Sequence, residues 1–225
     1  MSIAYSLTRS KRKTVGIYIR CGGVEVRAPL KYPRSEIDKF VSSKEKWIRD
    51  NLAKSQFQAE KKSAFTLNYG DMALYRGGCY PIEARAKNRI GFDDTVFYLP
   101  QNLQPEQIKT AIVQIYRMLA KRDLSSKVLE YAKLMGVTPA AVKINGAKTR
   151  WGSCSTHKSI NFSWRLIMAD DDVIDYVAVH ELAHITEMNH SQKFWAIVEQ
   201  ILPDYQERRA KLKELQKRLA VEDWE

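Results

Sequence analysis

Residues 180–184 read His180-Glu181-Leu182-Ala183-His184, and a third histidine, His190, follows closely. On a helix, residues i and i+4 share a face one turn apart, so both imidazoles of the pair can point at one ion. Glu181 lies about 100° around the axis from His180. From there its carboxylate can reach a metal-bound water without being a ligand. Zinc prefers nitrogen and sulfur donors in a tetrahedron, and a catalytic site keeps its fourth position open. The pair therefore needs a third protein ligand.

His190 is the preferred candidate, since three of the chain's four histidines fall between positions 180 and 190. The segment from His184 to His190 is long enough for a helix to end and the chain to turn back. Glu187 and Glu199 are rival ligands, because a carboxylate can also bind zinc. Metzincin-type sites share the histidine spacing but place glycine where this chain has Glu187. The turn must then differ, with Asn189 expected to supply left-handed backbone. Three imidazoles favour zinc while tolerating other divalent ions.

Other chemistry is less well supported. Gly152-Ser153-Cys154-Ser155 lacks the second glycine of a nucleophile elbow, and no base with an orienting partner can be assembled beside it. The better reading is that Arg150 and Trp151, with this segment, shape the wall of the metal cleft. There is no phosphate-binding loop of the Gly-x-x-x-x-Gly-Lys type. Cys21, Cys79 and Cys154 are scattered and odd in number, which argues against a disulfide framework and fits a reducing cytoplasm. His157 lies in a polar turn and is expected to be exposed.

These residues need elements to hold them. Val173, Ile174 and Val177 lead a helix into His180, and Asp170, Asp171 and Asp172 suit its N-terminus. Ser191 is a fitting N-cap for the next helix, and Pro203 opens a last charged one. Upstream, Ile160, Phe162, Trp164 and Leu166 alternate with Asn161, Ser163 and Arg165. That pattern predicts a strand over 160–166 with one buried face. Its polar face, with Asn161 and Arg165, is expected to border the cleft, and its edge to bind extended substrate. Val142 to Ile144 is another strand, and Pro105 begins a long helix ended by Gly136. Residues 3–30 read as strands, including a hairpin around Cys21-Gly22-Gly23, followed by one helix from about Ser35 carrying Ile37, Phe40, Val41, Trp47, Ile48 and Leu52. Residues 64–100 return to strand character, with Gly70-Asp71, Gly77-Gly78, Pro81 and Asp93-Asp94 as turn signals. The segment Pro100 to Pro105 reads as a linker. It divides a strand-rich part with one helix, 1–104, from a catalytic part, 105–225.

Hydrophobic residues make up 44% of the 225 and charged residues 28%, which indicates a globular chain with a sizeable core. No apolar run approaches the roughly 20 residues of a membrane helix. The net charge is +11, and residues 1–62 hold 15 Lys or Arg against 6 Asp or Glu, or +9 of it. Such a basic third can attract nucleic acid or another acidic partner. The alternation of these cations with strand-forming residues favours a plain solvated surface instead.

Arg150-Trp151-Gly152-Ser153-Cys154, Asn161, Trp164-Arg165, His180 to His184, Asn189-His190-Ser191, Phe194-Trp195 and Pro203-Asp204-Tyr205 together resemble the YgjP-like metallopeptidase family. SprT-like and WLM-type proteases are similar more distantly. The resemblance implies an α+β fold in which the strand-rich N-terminal part precedes a small zincin-like core with the metal helix and a β-hairpin. It also implies zinc on His180, His184 and His190, with Glu181 as catalytic base. The leading reading is a zinc peptidase acting on a peptide or protein substrate. The alternatives are a metal-dependent phosphoanhydride hydrolase acting on nucleotides and a binding module with a structural zinc, for which Cys154 is the available fourth ligand.

Overall fold

The structure is a computed structural model that describes residues 3–20 and 22–224; Cys21 lies outside the described residues. The chain divides into two compact units. The first comprises Met1–Phe65 with Ala220–Asp223, and the second Thr66–Leu219 with Trp224–Glu225.

In the first unit, β1 (Ser6–Ser10), β2 (Gly16–Arg20) and β3 (Gly23–Pro29) form a sheet of order β1-β3-β2. β3 runs parallel to β1 and antiparallel to β2. Alternation along β3 sends Val24, Val26 and Ala28 to one face, where they are buried. They share a core with Ile37, Val41 and Ile48 of two helices, α1 (Arg34–Ser43) and α2 (Glu45–Ser63).

The sequence suggests one helix here, but the structure has two. The Ser43 hydroxyl donates to the Phe40 carbonyl at 2.8 Å, and Lys44 leaves helical geometry at φ −107°, ψ 12°. A serine that bonds the backbone of its own turn competes with continuation of the helix. Beyond this break Trp47, expected on the apolar face, is exposed.

The second unit opens with β4 (Met72–Tyr75), β5 (Gly78–Arg85), β6 (Gly91–Phe92) and β7 (Phe97–Pro100), ordered β4-β5-β7-β6. Pro81 is not a turn residue. It lies within β5, where pairing passes from β4 (through Pro81) to β7 (from Ile82). A residue without an N–H is tolerated where one side of the strand is unpaired.

α3 (Pro105–Met135) follows, with a capping box at Gln104 and Gln107 and a left-handed Gly136 at its end. It packs on the preceding sheet. The Phe97 and Tyr116 rings are 5.5 Å apart, and the Tyr75 hydroxyl donates to Asp123 at 2.6 Å. Strands 72–100 therefore belong with α3, and the division falls at Phe65/Thr66 instead of the segment between Pro100 and Pro105. The two prolines mark only a loop inside one unit.

β8 (Ala141–Asn145), β9 (Gly152–Cys154) and β10 (Ser159–Ser163) make the second three-stranded sheet, ordered β8-β10-β9. A short 3-10 turn over Trp164–Met168 leads to α4 (Asp171–Ala183), then α5 (Gln192–Ile201) and α6 (Tyr205–Leu219). Trp224 packs edge-on against Tyr116 and Trp164 in this unit's core. The whole is a mixed α+β fold with a strand-rich N-terminal part and a helix-rich, zincin-like remainder. Among the described residues no helix is long and apolar enough to cross a membrane.

Candidate metal centre

α4 is buried along most of its length, with Val173, Ile174, Tyr176 to Val179 and Glu181 to Ala183 all inside. Its N-terminus carries Asp171, whose carboxylate takes two bonds from the Arg76 guanidinium. This fixes the helix that carries His180 and Glu181, and His184 stands at its C-cap. The chain then turns through bonds from the N–H groups of Ile185, Thr186 and Glu187 back to the carbonyls of Leu182 and Ala183. Asn189 is not left-handed, nor is Glu187; the turn is completed by Ser191 N–H donating to the Asn189 carbonyl at 2.8 Å. Ser191 caps α5 by accepting from the Phe194 N–H.

The result brings His180, His184 and His190 together, with their ligand nitrogens within 4.8 Å of one another. Nε2 of His180 and Nε2 of His190 face each other at 3.1 Å. Two nitrogens on a tetrahedral ion, each at about 2.0–2.1 Å, are separated by about 3.3–3.4 Å. The observed spacing comes close to that. His184 Nδ1 lies 3.1 Å from the Glu187 carbonyl. A carbonyl only accepts, so Nδ1 carries the proton and Nε2 keeps its lone pair, the usual support behind a metal-ligating histidine. Glu187 thus serves through its backbone. Neither Glu187, Glu199 nor Cys154 belongs to the cluster.

Burial pushes His180 down to about 3, helped by the neighbouring histidines, and also lowers His184. Both are neutral at ordinary pH, as ligands must be. The residues present fit a divalent metal with three nitrogen donors and leave its fourth position without a protein ligand.

The rings rest on hydrocarbon. Phe194, fully buried, sits 4.9, 4.5 and 4.8 Å from the ring centres of His180, His184 and His190. Trp195 lies nearly parallel to His190 at 5.8 Å, and its neighbours include His180, Phe194, Tyr205 at 5.3 Å and the Arg209 guanidinium.

Glu181 is 5% exposed, and burial pushes its carboxyl up to about 8 against the opposing pull of Arg150. Its Oε2 has no hydrogen-bond partner. It reaches a cleft of about 200 Å³ lined by Trp151, Gly152, Tyr176, Val177, His180, Glu181 and Leu212. Gly152 leaves room for it: a Cβ there would stand 2.5 Å from Glu181 Oε1 and 2.7 Å from Cδ.

Of the expected cleft residues, Trp151 lines the cleft and Arg150 acts on Glu181 through its charge. Asn161 and Arg165 are not among the lining residues. Asn161 lies on the sheet's middle strand, opposite Lys143 and Ser153, and Arg165 donates to the Gly146 carbonyl and stacks on Trp164. The expected strand over 160–166 also stops at Ser163, and β10 is paired on both sides, to β8 and to β9. It has no free edge for a substrate. The edge strands are β8 and β9, of which β9 lies beside Glu181. Tyr176, Phe194 and Leu212 escaped sequence reading as parts of the site; Phe194 had a signal, since it stands one helical turn beyond the His190 bend.

No curated protein matches the chain. Solved structures similar to part of it include two metallopeptidase zymogens. The metallopeptidase zymogen abylysin of Pyrococcus abyssi is 19% identical with a TM-score of 0.38, over 44% of this chain and 98% of that one. The metallopeptidase zymogen jannalysin of Methanocaldococcus jannaschii is 21% identical with a TM-score of 0.37, over 41% of this chain and 95% of that one. Residues 13–215, nearly the whole length and including every residue of the histidine cluster, match the YgjP-like metallopeptidase domain, and the chain belongs to the YgjP-like metallopeptidase family.

Proposed function

We propose that the chain is a zinc-dependent peptidase in which His180, His184 and His190 hold the metal and Glu181 is the general base. The observation that carries this reading is a buried, unpartnered carboxyl group beside three convergent imidazoles. Zinc, when bound, supplies a Lewis acid that polarises a carbonyl and acidifies water. Glu181 takes the proton from the attacking water at its carboxylate and passes it to the leaving amine. Burial raises the proton affinity of that carboxyl group above that of a carboxylate in water. Gly152 keeps the path to it open.

Substrate backbone has a place to lie. The outer edge of β9 is unpaired in the sheet and can add an extended peptide as a further strand. The Trp151, Tyr176, Val177 and Leu212 walls favour an apolar side chain next to the cut bond. Zinc-loaded protein assayed against a peptide library and a nucleotide panel tests the reading. Peptide cleavage that vanishes with chelator is expected; nucleotide hydrolysis alone would overturn it.

A further inference from the structure

The outward face of the first unit's sheet is chemically unlike a plain solvated surface. Alternation along β2 and β3 sends the apolar residues to the helices and leaves Tyr18, Arg20, Glu25 and Arg27 on the opposite side, with Thr8 of β1. Arg12 reaches onto this face from the β1–β2 turn. Three guanidinium groups surround one ring: Arg27 at 4.9 Å from the Tyr18 centroid, and Arg12 and Arg20 each at 5.8 Å. Arg12 also donates to the Tyr18 hydroxyl at 3.3 Å, while its Nε has no partner. The carboxylate in this group is Glu25, held by Arg27 at 2.8 Å and by the Thr8 hydroxyl at 3.2 Å. Lys11 and Lys13 add exposed charge in the turn. The alternation that reads in the sequence as dispersed charge is what gathers the charge on one face.

We infer that this face binds single-stranded nucleic acid, with Arg12, Arg20 and Arg27 on the phosphates and Tyr18 as the platform for a base. Guanidinium groups crowded around one ring repel each other, and a polyanion relieves that repulsion. Their planar forks match phosphate oxygens, and the ring already restricts them, so less freedom is lost on binding. Three strands span only about 10 Å, and the first unit's two helices pack on the sheet's other face, so neither is placed here to enter a duplex groove. Aromatic rings interleaved with arginine suit splayed bases on a single strand. An acidic peptide would satisfy the charges but leave the ring unused. The inference is independent of the metal and of the peptidase reading.

The test is fluorescence anisotropy of a labelled oligothymidylate of about fifteen nucleotides, a length that covers typical single-strand sites, with the full chain over a salt series. Three phosphate contacts give a log–log salt slope of about −2. The triple variant Arg12→Ala, Arg20→Ala, Arg27→Ala is expected to weaken binding more than tenfold and flatten the slope. Tyr18→Leu should weaken it about tenfold, with Tyr18→Phe close to wild type. Lys87→Ala with Arg89→Ala, exposed cations of the second unit, should change nothing. Should the triple variant misfold by circular dichroism, Arg20→Glu at its exposed position carries the same expectation. Three results would each overturn the inference: no binding at low salt, loss that follows Lys87 and Arg89 instead, or displacement by polyglutamate as effective as by unlabelled oligonucleotide.

Discussion

The two three-stranded sheets share one plan. In each, the last strand in sequence lies in the middle, parallel to the first and antiparallel to the second: β1-β3-β2 and β8-β10-β9. In each, the middle strand buries alternate residues, Val24, Val26 and Ala28 in one and Ile160 and Phe162 in the other. They part company at the hairpin strand. β2 carries Tyr18 and Arg20 among charges that solvent reaches, whereas β9 is built of Gly152, Ser153 and Cys154 and lies against a buried carboxylate. In the first sheet water screens what the side chains present; in the second, low polarity raises one acid and neutralises two histidines. Strand order does not carry function. The side chains on the outermost strand, and the medium they face, do.

The contrast can be broken hardest at the histidines. His180→Ala is expected to abolish both bound metal and hydrolysis, because two remaining donors make an incomplete site. Elemental analysis beside a peptide assay checks this, and full metal content in the variant would remove His180 from the ligand set. Glu181→Gln should keep the metal and lower turnover by about 10²–10⁴. Unchanged turnover would take the general base elsewhere.

The two hairpin strands can then be compared directly, since each opens on a glycine paired with its middle strand. Gly152→Ala drives a methyl into the Glu181 carboxylate. With a displacement of about 1 Å at a catalytic group, hydrolysis should fall by about 10–100-fold, metal content being unchanged. Gly16→Ala meets only the movable ends of Arg12 and Tyr18, at 3.0 and 3.2 Å. It should leave hydrolysis intact and shift stability by no more than about 0.5 kcal/mol, as read from a denaturant midpoint. Equal effects at the two glycines would mean that Gly152 matters only as a strand residue.

The sequence made the site legible because its spacing is local. Two histidines one turn apart need only a helix, and the return of His190 needs only a short bend capped by Ser191. The long helix from Pro105 to Gly136 was legible for the same reason. Partnership across the chain was not. Apolar residues alternate from Ile160 through Leu166, yet Trp164 and Leu166 sit in a 3-10 turn that is itself buried along with Ile167 and Met168. Which edge of β10 is free depends on β8, and nothing in residues 159–163 encodes that pairing. Likewise two prolines near 100 suggested a boundary, but contacts such as Phe97 with Tyr116 join what they separate. Arg165 was assigned to the cleft by extending a strand that had already ended, whereas Asn161 lies on that strand's paired middle position.

Trp195 gives the metal centre an optical consequence. Its indole lies nearly parallel to His190 on one side and to Tyr205 on another. Capture of a cation at His190 withdraws electron density from a ring whose centre lies 5.8 Å from that of the fluorophore. Emission from Trp195 should therefore change as metal is titrated in, without any label or substrate. Trp195→Phe should erase that change while Trp47→Phe, in the first unit, leaves it untouched. The protein thus carries its own spectroscopic gauge of metal loading, readable before a substrate has been identified.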